Sequence, residues 1–379
     1  MNANRYSAFP RTVAAAVLIG SIGWVSLGWS AQGEGPAPRT VVLRPARGPS
    51  LRIDFDYTRG KALPAFENEP ALPDKTAARG LIPTVPPTPF LRNLSEKLLY
   101  LKVDHDRNFS EGSLVTYRSR YDGHVVFDDL AVFTRRESLA IPYTVRLYTY
   151  ETVCAGWFLV ESGWEGQLDL DGEMWTIGIV DNLDGRIDGN DLLYLRGPGK
   201  LTPVCPAAET LFFAGRTFHL DLAFLPLGSE IALQATFTEL HPPLGELHIE
   251  ANGSRHVRLR SDTLTVLLDD PAGTVALPVG VYRVEDCILC DEQTRWAGPT
   301  FVAYEPRLSV QAGQTAALRL GGPLTNTVEV SRDRNLLRLD YRLIGAGGER
   351  YSYYNWKGPP SFTISKGPLR LGGGTFPFG

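Results

Sequence analysis

The feature that most constrains this chain is a long series of short apolar or alternating segments, each bounded by turn residues. From residue 98 onward, runs such as TVRLYTY, MWTIGIV and IALQATF combine β-branched and aromatic residues with a period of two. This period indicates β-strands, and long helical stretches are scarce. The 38 glycines and 28 prolines supply many turns. We therefore predict an all-β fold.

The strand series divides into two groups at His241-Pro242-Pro243. We predict a β-rich domain over residues 97–240 and a second domain over residues 241–379, each with antiparallel strands, because parallel sheets require crossover helices. The second group has roughly seven to nine candidate strands, which predicts a sandwich of the immunoglobulin or transthyretin kind. Between two strand segments of the first group, Asp171-Gly172 predicts a two-residue hairpin turn.

The first 31 residues have the order of a secretory signal. Arg5 and Arg11 precede an uncharged apolar run from Val13 to Ala31, so we predict an exported protein that is periplasmic, secreted or at the cell surface. The run is close to the ~20 residues that cross a bilayer, which leaves an uncleaved anchor open as the alternative. Residues 32–96 contain eleven prolines and predict an extended linker, with at most a short strand near residues 51–57.

The charge of the chain bears on its partners. The formal net charge is −4, and both signs are mixed along the sequence. No basic surface that would collect phosphates is indicated, so nucleic acid is not an expected partner. We expect an extracellular or cell-surface polysaccharide or protein instead, and contact with a membrane only through an uncleaved N-terminal segment.

The four cysteines are an even number in a chain that we predict to be exported, which indicates disulfides. We predict that Cys154 pairs with Cys205 and that Cys287 pairs with Cys290, because the two pairs lie in different parts of the chain. A redox role for Cys287 and Cys290 would require a helix N-terminus that lowers one thiol pKa. The residues on both sides of this motif are typical of a strand.

The most specific motif is the acidic segment VDNLDGRIDGND, from Val180 to Asp191. It resembles the calcium loop of EF-hand and dockerin modules, with Gly185 as the sixth-position glycine. The departure is at the first place, where Val180 replaces the family's aspartate and Asp181 comes one residue late. We predict a calcium site with the ligands Asp181, Asn182, Asp184, Arg186 (through its carbonyl), Asp188 and Asp191. The alternative is a turn whose carboxylates cap backbone amides.

The segment around this motif, together with LPVGVYRV and LDYRLIGAGGERY, resembles secreted β-rich bacterial proteins. This resemblance implies the fold and no particular activity. The usual signatures of serine hydrolases, zinc proteases and nucleotide-binding loops are absent from the sequence. Our leading hypothesis is therefore a non-enzymatic exported protein with a structural or binding role.

Two alternatives come from other functional classes. The first is a secreted hydrolase that acts on polysaccharide through a pair of carboxylates. Asp54 with Asp56, or Glu349 near Tyr351, can be nominated, but the sequence gives no separation in space that selects a pair, so we assign no catalytic residue. The second is a carbohydrate-binding module that uses a tryptophan platform. Trp157, Trp164 and Trp175 lie near the predicted hairpin, where core packing is the competing explanation for them.

Overall fold

All regular elements that the structure describes are β-strands, which confirms the all-β class. A computed structural model describes residues 37–56, 67–69, 77–93, 98–103, 113–116, 119–121, 124–136, 139–150, 155–198, 204–291, 294–297, 301–303, 307–334, 336–351 and 360–376. Within these ranges no helix is long and apolar enough to cross a membrane. The predicted signal segment, residues 1–31, lies outside them.

The strands are numbered in chain order. Those before residue 241 are β1 (Arg39–Asp56), β2 (Ala77–Ile82), β3 (Thr88–Asn93), β4 (Leu98–Leu101), β5 (Ser113–Thr116), β6 (Ser119–Tyr121), β7 (His124–Arg136), β8 (Leu139–Tyr150), β9 (Ala155–Leu170), β10 (Glu173–Val180), β11 (Leu192–Arg196), β12 (Val204–Pro206), β13 (Thr210–Phe213), β14 (Arg216–Leu227) and β15 (Glu230–Leu240). Those after it are β16 (Leu244–Asn252), β17 (Ser254–Arg260), β18 (Thr265–Asp269), β19 (Gly273–Pro278), β20 (Gly280–Asp291), β21 (Thr294–Ala297), β22 (Phe301–Ala303), β23 (Leu308–Val310), β24 (Thr315–Gly321), β25 (Thr325–Asp333), β26 (Leu336–Ile344), β27 (Arg350–Tyr351), β28 (Ser361–Lys366) and β29 (Leu369–Thr375).

One sheet of 16 strands contains most of the long strands. Its main path is β12-β11-β10-β9-β1-β15-β14-β13-β18-β17-β20-β21, with β8, β7 and β6 branching from β9 and β23 pairing with β20. Four smaller sheets have the orders β19-β16-β24, β2-β3-β4-β5, β22-β27-β26-β25 and β28-β29. The pairing is antiparallel except between β13 and β18 and between β16 and β24.

The structure differs from the linker expected over residues 32–96. Strand β1 lies inside the large sheet, where its first five residues pair with β15 and the remainder pairs with β9. Its register shifts between Arg47 and Leu51, next to Pro49. A bulge of this kind accommodates a proline within a strand, because the residue without an N–H is taken out of the ladder. Strands β2 and β3 also lie in this segment and pair with each other.

The buried apolar side chains form two clusters. One includes Phe158, Trp175 and Phe213, and the other includes Phe212 and Val257. Phe212 and Phe213 are neighbours on β13 and contribute to different clusters, because successive strand residues point to opposite faces. The large sheet therefore continues across residue 240 through β13 and β18. The domain boundaries and the immunoglobulin-like detail stay predictions.

The hairpin at Asp171-Gly172 is confirmed. Leu170, the last residue of β9, pairs with Glu173, the first residue of β10. Asp171 and Gly172 have φ values of 57° and 90°, as a two-residue turn of this type requires. The Asp171 carboxylate also forms ion pairs with Arg39 of β1 and Arg216 of β14, so the turn is attached to two other strands.

The cysteines differ from the disulfide prediction. Cys205 and Cys287 are buried free thiols, and Cys154 lies outside the described residues. Cys287 and Cys290 both belong to β20, and three steps along an extended strand separate their Cα atoms by about 10 Å, which is too far for a disulfide. Burial raises the pKa of the Cys205 thiol to about 12. Both described thiols are therefore protonated groups of the interior.

Candidate functional site

The acidic segment closes a hairpin between β10 and β11. Val180, at the end of β10, pairs with Leu192, at the start of β11. Residues 181–191 form the connection, with Asp181 and Asp191 at its two ends. Val180 would be the first ligand if the loop followed the EF-hand register, but it is buried and paired within β10. It therefore lies outside the loop. If Asp181 is taken as the first ligand instead, the loop is one residue shorter than the twelve-residue loop of an EF-hand.

The carboxylate of Asp181 is completely buried and binds the first turn of the loop. Its Oδ1 atom accepts hydrogen bonds from the backbone N–H groups of Asp184, at 3.1 Å, and Gly185, at 3.4 Å. Its Oδ2 atom accepts a 2.6 Å hydrogen bond from the phenol of Tyr143 on β8. Burial raises the pKa of Asp181 to about 6, while the hydrogen bond from Tyr143 acts in the opposite direction.

The carboxylate of Asp191 also accepts hydrogen bonds from backbone N–H groups, at the other end of the loop. Its Oδ1 atom accepts a hydrogen bond from the N–H of Asn182 at 2.9 Å, and its Oδ2 atom accepts one from the N–H of Asp188 at 2.6 Å. The backbone carbonyl of Asp191 accepts a hydrogen bond from Ala207, next to β12. Burial raises the pKa of Asp191 to about 7, against the lowering effect of the two amides and with a further rise from the charge of Asp181.

The remaining predicted ligands make short-range turns. Asn182 Oδ1 accepts from the N–H of Asp184 at 3.1 Å, Asp184 Oδ1 from Arg186 at 2.8 Å, and Asp188 Oδ1 from Asn190 at 2.8 Å. These are the amide-capping bonds of the alternative interpretation. In the described part of the chain, no three His, Cys, Asp or Glu side chains are arranged to hold a metal ion. Calcium binding stays a prediction.

Two side chains of β7 donate hydrogen bonds to backbone carbonyls of the same loop. The Thr134 hydroxyl donates a 2.6 Å hydrogen bond to the carbonyl of Leu183, and the Arg136 guanidinium donates a 3.1 Å bond to the carbonyl of Gly185. Leu183 is buried with a φ of 78°, a conformation that is uncommon for a residue with a side chain. Gly185 has a φ of 72°, and a Cβ atom there would lie 2.6 Å from Cγ2 of Thr134. Both the positive φ and this contact therefore favour glycine at this position.

A cleft of about 860 Å³ opens on one side of the loop. Its basic lining consists of Arg135 and Arg136, from the end of β7, and Arg186, from the loop. None of the three guanidinium groups forms an ion pair with a carboxylate among the residues that the structure describes. The apolar part of the lining includes Leu139, Ile187, Leu222 and Phe224.

A second cleft, of about 480 Å³, lies against the same loop. Ile187, Asp188 and Leu222 line both clefts. The lining of the second cleft also includes Glu209 and Asp221, and the imidazole of His219 lies 3.3 Å from the Asp221 carboxylate. The loop thus stands between a basic cleft and an acidic one.

The tryptophans considered for a sugar platform take part mainly in packing. Trp164 and Trp175 are buried, and Trp164 Nε1 donates a 2.8 Å hydrogen bond to the carbonyl of Ile231. Trp157 is half-buried. Its ring stacks on Tyr148 with centroids 5.0 Å apart, and the Arg52 guanidinium lies 4.4 Å from its centroid. Trp164 and Trp175 belong to the first core cluster, as the core-packing explanation requires, whereas Trp157 belongs to neither cluster.

The carboxylates nominated for a hydrolase do not form a described pair. The side chains of Asp54 and Asp56 lie outside the described part of the structure. Glu349 is completely buried, and its carboxylate accepts hydrogen bonds from the backbone N–H of Gly321 and Gly347 and from the Tyr351 hydroxyl. Glu349 therefore fastens the loop between β26 and β27 to β24.

In comparisons with known proteins, no family model, no curated sequence and no solved structure matches this chain. The likeness of residues 180–191 to EF-hand and dockerin loops accordingly stays a prediction from the motif. The residues of the acidic segment lie together in one loop, whereas Tyr143, Thr134 and the arginines of the basic cleft were not predicted as part of the site. The adjacent pair Arg135-Arg136 at the end of a strand was the available signal for those arginines.

Proposed function

We propose that this protein is an exported, non-enzymatic binding protein whose ligand is an acidic polysaccharide, bound in the basic cleft beside the acidic loop. The observation that supports this proposal is the set of three arginines, Arg135, Arg136 and Arg186, that line one cleft without a carboxylate partner in the described residues. Guanidinium groups bind carboxylate and sulfate groups through paired N–H donors, and this geometry suits anions carried on a chain.

The dimensions and the apolar lining of the cleft suit a saccharide. Its volume of about 860 Å³ lies in the usual range for ligand sites. Phe224 and Leu222 from β14, and Ile187 from the loop, give an apolar wall against which the carbon face of a sugar ring packs. The chain as a whole carries a net charge of −4. The arginines must therefore attract the anion locally, and salt should weaken binding.

The acidic loop has a structural role in this proposal. It presents Arg186 and Ile187 to the cleft, and the buried caps Asp181 and Asp191 set its shape. Asp184 and Asp188 also line the cleft, but one carboxylate oxygen of each accepts a hydrogen bond from a loop amide. Calcium enters only as a stabiliser of the loop and takes no part in contacting the ligand.

The test is a binding titration with polygalacturonate, an acidic polysaccharide, with neutral dextran as the comparison ligand. The variant Arg135→Gln/Arg186→Gln should bind polygalacturonate roughly tenfold more weakly, since partly exposed ion pairs contribute up to about 1 kcal/mol each. Arg319→Gln/Arg350→Gln removes the same two charges from the exposed surface of β24 and β27 and should leave binding unchanged. Equal affinity for dextran, or full affinity in the double variant, would contradict the proposal. Release of reducing ends during the titration would favour the hydrolase alternative.

A further inference from the structure

A hairpin in the C-terminal part of the chain exposes apolar side chains at its tip. All nine residues of β25 are exposed, and the register with β26 places Val330 opposite Leu339. The exposed fractions are 60% for Val330, 73% for Leu336 and 55% for Leu337. By this register Val330 and Leu337 lie on one face of the hairpin and Leu336 lies on the other. Both faces near the tip therefore expose apolar side chains, whereas exposed apolar residues on an ordinary surface are scattered singly.

The same tip is basic. Residues 332–338 contain three arginines, Arg332, Arg334 and Arg338, and one acid, Asp333. None of these arginines forms an ion pair with a carboxylate in the part of the chain that the structure describes, and the guanidinium of Arg332 donates a 2.9 Å hydrogen bond to the carbonyl of Arg334. Nearer the base of the hairpin the situation is different, because Arg342 pairs with both Glu329 and Asp340.

The hairpin of β28 and β29 repeats this chemistry. Leu369 and Leu371 are 62% and 59% exposed. Lys366 and Arg370 lie on either side of Leu369, and residues 360–376 contain no acid. Neither cation has an ion pair with a described carboxylate. Two separate hairpins thus combine exposed leucines with cations that form no ion pair among the described residues.

The bases of the two hairpins meet at one aromatic residue. The ring of Phe376, which follows β29, lies 5.2 Å from that of Tyr341 on β26 and 4.8 Å from that of Phe362 on β28. Tyr341 also packs against the second core cluster. Both hairpins are therefore anchored to the folded body at their bases, while their tips stay exposed.

We propose that the tips of these two hairpins dock on an anionic lipid surface. Leucine side chains leave water when they enter the boundary between headgroups and acyl chains, which favours binding. Neighbouring Lys and Arg side chains attract anionic headgroups. A second protein could cover the leucines, but the absence of carboxylate partners for the five tip cations within the described residues favours a surface of negative charge. This inference uses none of the residues of the basic cleft and goes beyond the proposed function.

The experiment is hydrogen exchange of the full chain, read by mass spectrometry, with vesicles of phosphatidylcholine and phosphatidylglycerol and with vesicles of phosphatidylcholine alone. Peptides that cover residues 325–344 and 361–375 report on the tips separately from the N-terminal apolar run. We expect these peptides to be protected by the anionic vesicles only, and added salt to raise the lipid concentration needed for half-protection. The Arg334→Ala/Arg338→Ala variant should raise it by roughly 25-fold, at about fivefold per basic residue.

Two further variants make the test specific. Leu336→Asn/Leu337→Asn should remove the protection of residues 325–344, whereas Leu240→Asn/Leu244→Asn, which changes two exposed leucines elsewhere, should leave it intact. The absence of protection with anionic vesicles would overturn the proposal. Protection without lipid that rises with protein concentration would also overturn it, because it would assign the tips to a second copy of the chain.

Discussion

The phenol of Tyr143 lies 2.6 Å from Oδ2 of Asp181, and both groups are buried. Tyr143 belongs to β8, whereas Asp181 follows β10, and β9 lies between these two strands in the sheet. The other oxygen of the same carboxylate binds two amides of the acidic loop. The Asp181 side chain therefore connects the acidic loop, which lines the basic cleft, to strand β8 of the large sheet.

Replacement of Tyr143 by phenylalanine should lower the free energy of unfolding by about 2 kcal/mol, because a buried carboxylate loses a hydrogen bond. The loss should be larger at about pH 8 than at about pH 5, since Asp181 is ionised above its pKa of about 6. Urea unfolding at the two pH values measures both quantities. Tyr341→Phe, which removes an exposed hydroxyl bonded to Asn326, is the matched control and should have a small effect. An equal loss for the two variants would contradict this account.

Stability should fall as pH rises from about 4 to 7 through the titration of the loop carboxylates. The folded-state pKa values of Asp181 and Asp191 are raised to about 6 and about 7. The folded chain therefore retains protons that the unfolded chain has released above its ordinary pKa of about 4. Asp191→Asn should flatten this part of the curve of unfolding free energy against pH. Asp171→Asn should leave it unchanged, because the pKa of Asp171 is lowered by its bonds to Arg39 and Arg216. A rise in stability over the same interval that depends on Asp191 would show that the sign is wrong.

Gly185→Ala should destabilise the loop more than an alanine at another turn glycine. The substitution combines a positive φ with a contact of 2.6 Å to Thr134, for an expected cost of about 2 to 4 kcal/mol. Gly228→Ala has a similar positive φ with open space around it, so it should cost only about 1 kcal/mol. The difference between the two variants in urea unfolding measures the contact with Thr134. Equal costs would show that this contact relaxes freely.

Calcium binding by the acidic loop predicts a higher melting temperature in millimolar calcium than in a chelator. The gain should be small, about 0.4 to 1.4 kcal/mol, if the affinity is that of extracellular calcium modules. Asp184→Asn/Asp188→Asn should abolish the difference, and magnesium at the same concentration is the control. An unchanged melting temperature after chelation, together with unchanged calcium binding in the variant, would leave amide capping as the sole role of these carboxylates.

The period of the sequence was sufficient to predict those elements whose structure depends on neighbouring residues. The alternating runs became strands, and Asp171-Gly172 became the turn between β9 and β10, because both depend on local backbone preferences and on the period of two. The acidic loop was likewise found from its spacing, and its residues do lie together between β10 and β11. Residues 32–96 were different, because their prolines suggested an unpaired segment.

Tertiary structure alone decided which strands meet. Arg39 pairs with Phe237, and Arg44 with Glu165, so the strand that local composition indicated as a linker lies within the large sheet. Strands so distant in sequence pair because the complete sheet buries apolar surface, which lowers the free energy of the folded state. A short segment of sequence does not show which distant strand makes that burial possible. The same long-range packing buries Asp181 beside Tyr143 and brings Arg135 and Arg186 to one cleft. The sequence by itself determined an all-β chain with an acidic hairpin loop, and the assembled sheet decided that this loop borders a basic cleft.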